Sequence, residues 1–354
     1  MKRILVTGAG GSAGMNFIRS LRLTDETLYI VGTDINKYHM ELSKADVNYI
    51  VPRFDDPEYI ETLNKVIKKE KIEFLHCQPD TELRVISENR EKIEAKTFLP
   101  SKEAIRIALD KMEFIRYMEK NNIPVAKAIL INKPDDIIFA IKKLSSSSNS
   151  KMWLRATSGA GSRASLPVIN YDQALMWIEY WNRMKDVKYG EFMMSEFLPG
   201  KEFAFQSIWQ KGRLITSQAR ERLEYVFGNR MPSGQSSSPT IAKTVHQDDV
   251  NQIAASAIKI LDSNANGIFC VDLKENSSGV PCVTEINVGR FFTTSIFFAV
   301  AGSNMPYYYI KMGFNEELPD LPKYNALPEN LYWIRQIDCG EKLVREGEWK
   351  SLAI

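Results

Sequence analysis

The chain has 354 residues, 44% hydrophobic and 25% charged, enough to bury a large core in two or three structural units. Forty-six Lys and Arg against 44 Asp and Glu leave a formal charge of +2, so no global basic field points to nucleic acid or a membrane surface. Cys77, Cys270, Cys282 and Cys339 form no CxxC pair, and no apolar run makes a signal-peptide core or reaches membrane-spanning length, so a reduced, cytoplasmic protein with small-molecule partners is expected.

Residues 3–21, RILVTGAGGSAGMNFIRSL, predict a strand, a turn at Gly8, Gly11 and Gly14, and a helix whose apolar face carries Phe17, Ile18 and Leu21. A second strand ends at Asp34, and a helix and third strand follow within residues 59–80, with another helical pattern from Thr81 to Ile93. A parallel, doubly wound sheet is therefore predicted over the first hundred residues. The glycine spacing with a later acid resembles the cofactor fingerprint of NAD(P)-dependent short-chain dehydrogenases and sugar-nucleotide epimerases or reductases, and a Tyr-x-x-x-Lys pattern stands at Tyr307 and Lys311. That pair lies too late in the chain for a single-domain dehydrogenase. The competing reading is that the glycines permit only a tight turn and close packing.

From Ser101 the pattern turns helical up to Pro124, with Lys111 following Asp110 at the start of an amphipathic stretch. A further helix, DDIIFAIKKL, precedes a small polar loop at 145–150. A short strand from Met152 to Leu154 then delivers Arg155 to a loop of Thr157, Ser158, Gly159, Ala160, Gly161 and Ser162, with Arg163 behind it. Small residues let backbone N–H groups approach phosphate oxygens, and an arginine at the end of a buried strand calls for an anion. The helix YDQALMWIEYWNRM most simply turns its aromatics to the core. SEFLPGKE ends a strand at Glu196, Phe197 and Leu198, turns at Pro199 and Gly200, and resumes at Glu202. Such a connection offers backbone groups to a flat base and a carboxylate to ribose hydroxyls, although any β-hairpin could look the same. The Gly-, Ser- and Pro-rich stretch FGNRMPSGQSSSPT is a candidate lid ahead of an amphipathic helix, HQDDVNQIAASAIKILD.

GIFCVDLKENSSGVPCVTEINVGR, residues 267–290, places Asp272 on one strand, a turn at Asn276 to Gly279, and Glu285 and Asn287 two residues apart on the next strand. Alternation sends Glu285 and Asn287 to one face, where the facing strand of the hairpin can bring Asp272 to the same ion. Oxygen-only donors suit Mg²⁺ shared with substrate phosphates, with Mn²⁺ as a substitute. The alternative is a hairpin that shows acids on its solvent face. Beyond Arg290 two helical segments flank Gly302, and the last forty residues carry no motif.

Taken in order, the DK before a helix, the strand ending in Arg with its glycine loop, SEFLPGKE, and GIFCVDL followed by VTEIN resemble the ATP-grasp superfamily. Within it they resemble one synthetase unit of the carbamoyl phosphate synthase large subunit, from the first strand to about Phe314. The resemblance implies an α/β and α+β chain: a doubly wound preATP-grasp domain over 1–100, linker helices and the small ATP-grasp lobe over 101–198, and the large lobe with the C-terminal segment over 199–354. It implies an ATP-dependent ligase that joins a small-molecule carboxylate to an amine-type substrate through an acyl phosphate. By the same resemblance Lys111 and Arg155 hold ATP phosphates under a cover of Ser158, Gly159, Gly161 and Ser162, Glu196 and Leu198 contact adenine, and Glu202 binds ribose. Asp272, Glu285 and Asn287 look like ligands of one or two Mg²⁺ ions, and Arg290, with Arg155, like the catalytic cations at the transferring phosphoryl group. Two features depart from the pattern. The family motif ExNxR is stretched here by Val288 and Gly289 before Arg290, and the loop before the metal hairpin lacks the His of the synthase units, which keeps a non-catalytic ATP-binding protein in view. A single unit with no glutaminase segment is not expected to be a complete carbamoyl phosphate synthase.

Overall fold

Ile4, Leu5 and Val6 are fully buried, as a strand covered on both faces requires, and they nucleate the first of three sheets in a computed structural model. The structure describes residues 1–145, 150–158, 163–236, 238–336 and 340–347. The polar loop at 146–149 and the glycine-loop residues 159–162 lie outside these. β1 (Lys2–Thr7), α1 (Ser12–Leu21), β2 (Leu28–Asp34), α2 (Lys37–Met40), β3 (Val47–Ile50), α3 (Tyr59–Glu70), β4 (Phe74–His76) and α4 (Asp80–Glu88) build a parallel sheet in the order β3-β2-β1-β4. The parallel sheet is as expected, with one strand more: VNYI alternates half-buried and exposed residues on the sheet edge, a weak apolar signal.

The glycines after β1 serve packing. Gly8 has φ +61, and a Cβ on Gly14 would sit 2.2 Å from the Gly8 carbonyl oxygen, so α1 starts closer to the loop than any side chain allows. Asp34 is engaged by the backbone: its carboxylate accepts from Gly10 N at 3.1 Å and from Asn36 N at 2.9 Å.

The predicted long helix after Ser101 is two, α5 (Lys102–Leu109) and α6 (Lys111–Lys120), because Asp110 is extended and caps the second by accepting from Met112 N and Glu113 N. β5 (Ala128–Ile131), α7 (Pro134–Leu144), β6 (Met152–Ala156), β7 (Leu166–Val168), α8 (Tyr171–Lys185) and β8 (Phe192–Glu196) form an antiparallel sheet, β5-β8-β6-β7, under two helices with a core of its own. The expectation for α8 holds for Tyr171, Trp177 and Trp181, which pack half-buried against this core beside the buried Ala174 and Ile178, and is corrected for Tyr180, which is more than half exposed because only one face of the helix meets the sheet.

β9 (Glu202–Gln210), β10 (Arg213–Tyr225), β11 (Pro239–Val245), α9 (Asp248–Leu261), β12 (Gly267–Glu275), β13 (Pro281–Val288), α10 (Ser295–Val300), α11 (Met305–Gly313), β14 (Leu331–Gln336) and β15 (Gly340–Arg345) complete the chain. Their strands make one antiparallel sheet, β13-β12-β9-β10-β11-β14-β15. The segment SEFLPGKE is therefore no hairpin: β8 and β9 belong to different sheets. Two apolar cores run between the first and third sheets, one through α5, α6 and α9 and the other through α1, α10 and α11. No helix among the described residues is long and apolar enough to cross a membrane.

His76 sits in the second of these cores, stacked on Phe17 at 3.8 Å with Nε2 2.9 Å from Gln78 Oε1, while Gln78 Nε2 donates to the Phe291 carbonyl. Burial pushes its pKa down to about 4. An unfolded chain, titrating near about 6.5, takes up the proton first as pH falls, so this group's stabilisation is complete above that value and is lost down to about pH 4. Between pH 7 and pH 5, His76→Phe should lose about 2 kcal/mol less unfolding free energy than the wild type. Urea titrations at the two pH values check this, and parallel losses in both proteins would refute it.

Candidate active site

The hairpin of β12 and β13 pairs Asp272 with Glu285 and Cys270 with Asn287. A bulge between Asp272 and Leu273 leaves Thr284 as the extra residue, and its hydroxyl ties back to the Asp272 carbonyl at 3.1 Å. Asp272, Glu285 and Asn287 thereby line one cleft. Burial pushes the Asp272 carboxyl up, Arg222 pulls against this, and the neighbouring Glu285 and Glu202 add to the rise. Two carboxylates and an amide oxygen donor in one cleft fit a hard cation such as Mg²⁺. Asp272 accepts from Arg222 Nη2 and, at 3.2 Å, from Asn287 Nδ2, whereas Asn287 Oδ1 accepts from Arg290.

Cations surround these donors. Lys111 opens α6, and Arg155 ends β6 with Nη2 3.4 Å from the Thr284 carbonyl and a buried, unpartnered Nε. Burial pushes both pKa values down, with Glu285 opposing. Arg290 lies three residues past Asn287, and the additional residue is absorbed at Gly289, which has φ +69. Its guanidinium pairs with Asp80 at the start of α4 through Nε and, at 2.9 Å, Nη2. Burial alone would lower the Arg290 pKa, but Asp80 raises it. Counting Arg163, Arg220 and Arg222, six cationic side chains face three carboxylates in a cleft of about 1100 Å³.

This cleft continues into a second pocket of about 640 Å³ under the β8–β9 crossing, lined by Ile115, Trp153, Glu196, Phe197, Leu198 and Val283. Strand pairing of β8 stops at Glu196, so the backbone of Phe197 and Leu198 runs along the pocket outside any sheet. Glu202 stands where the two pockets meet and is heavily engaged: it accepts from Tyr225, from Gln235 Nε2 at 2.8 Å, and from Arg222 and Lys274 at 3.3 Å. A third pocket joins Gly8, Gly11, Gly14 and Asp80 to Lys111, Ser158, Glu285 and Arg290. Gly159, Gly161 and Ser162 are outside the described residues. Tyr307 is not in this pocket; its hydroxyl donates to Glu26 at 2.7 Å.

Arg220, Arg222, Gln235 and Lys274 are site residues that sequence reasoning passes over. Arg220 and Arg222 share a face by the two-residue alternation of β10, the one signal that could have singled them out.

Three comparisons bear on this geometry. Residues 4–99 match the family described as PylC-like, N-terminal domain. The chain resembles the crystal structure of carboxyaminoimidazole ribonucleotide synthase from Aspergillus clavatus complexed with ATP, at TM-score 0.68 and 15% identity over 94% of this chain and 81% of that one. It also resembles the biotin carboxylase domain of 2-oxoglutarate carboxylase from Hydrogenobacter thermophilus, in complex with MgADP, ADP and bicarbonate, at TM-score 0.68 and 14% identity over 94% and 73%. The chain has the ATP-grasp fold. The chain is also 27% identical over 161 residues to the mitochondrial arginine-specific large chain of carbamoyl phosphate synthase of Neurospora crassa, covering 41% of this chain and 13% of that protein.

In this fold the Arg290–Asp80 pair ties the hairpin to the start of α4, beside the first sheet, at modest exposure of both partners. Asp80→Ala should lower stability by about 1–3 kcal/mol because it leaves donors of a largely buried guanidinium without their partner. A double-mutant cycle with Arg290→Met checks the pairing: a coupling energy above about 1 kcal/mol is expected, and additivity would refute it.

Proposed function

We propose that this chain is an ATP- and Mg²⁺-dependent ligase that activates a small-molecule carboxylate as an acyl phosphate and passes it to an amine-type nucleophile. The observation that carries this reading is the continuity of a partly apolar pocket with a cleft in which cations outnumber carboxylates two to one. An adenine ring and a polyphosphate ask for that pair of surroundings in that order. The ATP and MgADP complexes of proteins sharing the fold support it.

In this reading the backbone around Glu196 and Leu198 reads adenine and Glu202 adds ribose contacts to its existing ones. Lys111 and Arg155 neutralise phosphate oxygens, and Ser158 belongs to the cover that Gly159, Gly161 and Ser162 complete. Asp272, Glu285 and Asn287 would hold Mg²⁺, which when bound offsets charge on the transferring phosphoryl group. Arg290 and Arg155 are the catalytic cations, and the work is positioning and charge neutralisation with no general base required. The acyl phosphate would be shielded from water beneath the loop that follows Arg155. The 1–100, 101–198 and 199–354 segments are the natural functional divisions, with the first contributing the glycine-loop pocket on the acceptor side. The Neurospora likeness supports kinship with a carbamoyl phosphate synthase-type unit. Gln235 and Ser236 line the cleft from the loop in which such a unit carries a His, which favours a different acceptor.

A thermal-shift comparison tests this. Mg-ATP at about a hundred times its dissociation constant should stabilise the protein by roughly 2.7 kcal/mol, ATP with chelator should do less, and NADPH nothing. Glu285→Gln should keep the wild-type fold and abolish ADP release with any productive carboxylate and amine pair. Stabilisation by NADPH alone, or undiminished turnover in Glu285→Gln, would overturn the assignment.

A further inference from the structure

Arg220 is 1% exposed in the middle of β10, and no carboxylate is paired with it among the described residues. Its Nε and Nη1 have no hydrogen-bond partner. Its guanidinium lies over the Phe292 ring at 4.8 Å and the Phe298 ring at 5.3 Å, contacts that offset only part of the cost of removing a charge from water. The neighbouring cations do not help. Arg222, two residues on, has its charge met by Asp272 and Glu202, and Arg335 donates to the Pro239 carbonyl at 3.0 Å. Burial and then Arg222 push the Arg220 pKa down to about 9, the mark of a cation short of counter-charge.

Its position narrows what could supply that charge. Arg220 lines the cationic cleft together with Phe292, Thr293 and Ser236, but neither the base pocket nor the glycine-loop pocket. It therefore marks a third arm, away from the expected run of the nucleotide. Thr293 is held in place by Ser238 Oγ at 2.8 Å and by Asn16, which donates to its carbonyl at 2.6 Å. The arm thus has a fixed wall with hydroxyl groups beside a buried guanidinium.

We infer that Arg220 is the anchor of an oxyanion subsite, so that one substrate carries a carboxylate or phosphate group there. This rests on the ligase reading for the word substrate, but the subsite itself does not require it. An arginine buried without a partner costs stability, and a protein retains that cost where a ligand removes it.

The test uses the full chain with saturating Mg²⁺ and the β,γ-imido analogue of ATP, which occupies the γ-phosphate position, and titrates inorganic phosphate and succinate separately by calorimetry. The same titrations are repeated without nucleotide. The wild type should bind at least one of the two anions, Arg220→Met should weaken that binding at least tenfold, and Arg220→Lys should recover part of it. Phosphate alone would mark a phosphorylated substrate, and succinate alone a second carboxylate. In both variants the fall in anion affinity should exceed any fall in affinity for the analogue. Unliganded Arg220→Met should melt at or above the wild type, because the unpaired charge is gone; a melting point well below it marks a structural arginine and overturns the subsite. Equal anion binding in Arg220→Met, no anion binding by the wild type, or a parallel loss of analogue affinity would also overturn it. If the wild type ignores the analogue while anion binding still depends on Arg220, the ligase reading falls and the subsite stands.

Discussion

Like charges confined in one cleft repel, and a fold that holds Lys111, Arg155, Arg220, Arg222 and Arg290 together must supply counter-charge or leave room for it. Arg222 is paired with Asp272 and Glu202, and Arg290 with Asp80. Glu285 is the main counter-charge near Arg155 and, with Asp80, near Lys111, and among the described residues Arg220 has no paired carboxylate. The sheet framework bears this imbalance through buried apolar layers on both sides, so the cleft is pre-set for anions before any arrives. A cleft of this kind is electrostatically preorganised: its groups need no reorganisation when negative charge enters.

The distribution of cores bears on motion. Two apolar clusters weld the first sheet to the third, but the sheet of β5 to β8 packs under α7 and α8 around its own cluster. It is tied to the rest by Met193 of β8, which enters the first of those clusters, by the backbone bond from Val283 N to the Pro124 carbonyl, and by the seating of Gly200 against Glu275, where a Cβ would fall 2.5 Å from the Glu275 Cβ. A unit with most of its core to itself can shift as a body at less cost to the others. That unit carries Arg155, Trp153 and the backbone before Leu198, so its displacement would change the width of the cleft without disturbing the hairpin acids.

How much of this was legible in the sequence follows from which patterns are local. The parallel sheet, apart from its edge strand β3, and the hairpin with Asp272, Glu285 and Asn287 were readable because apolar runs and two-residue alternation are properties of a few adjacent residues. The bulge at Thr284 was not, because it depends on how two strands register. Arg220 and Arg222 were missed for a related reason: ARERLEY reads as an exposed, charged strand until β9 and β11 flank it and Phe292 and Phe298 cover the first guanidinium. Glu202 was legible as a candidate but not as a carboxylate with four donors, since Arg222, Tyr225, Gln235 and Lys274 converge on it from separate segments. In α8 the aromatic pattern suggested burial, but the small sheet offers one helix face too little surface to cover Tyr180.

The displaced arginine of the hairpin shows how tertiary structure can absorb a local departure. A residue inserted between Asn287 and Arg290 would turn the side chain to the other side of a continuing strand. Here β13 has ended at Val288, and the positive φ of Gly289 redirects the chain. Asp80, at the start of α4, then grips Nε and Nη2 of Arg290, while Nη2 also reaches Asn287 Oδ1. A guanidinium carries five donors in a fixed plane, so fixing one edge fixes the direction of the rest and leaves the Nη1 donors outside these bonds. A lysine at the same position would keep the charge but lose that orientation. The position of the positive charge is therefore set by a long-range pair with the start of α4 rather than by the spacing of the motif, which is why the extra residue need not carry the charge away from the hairpin acids.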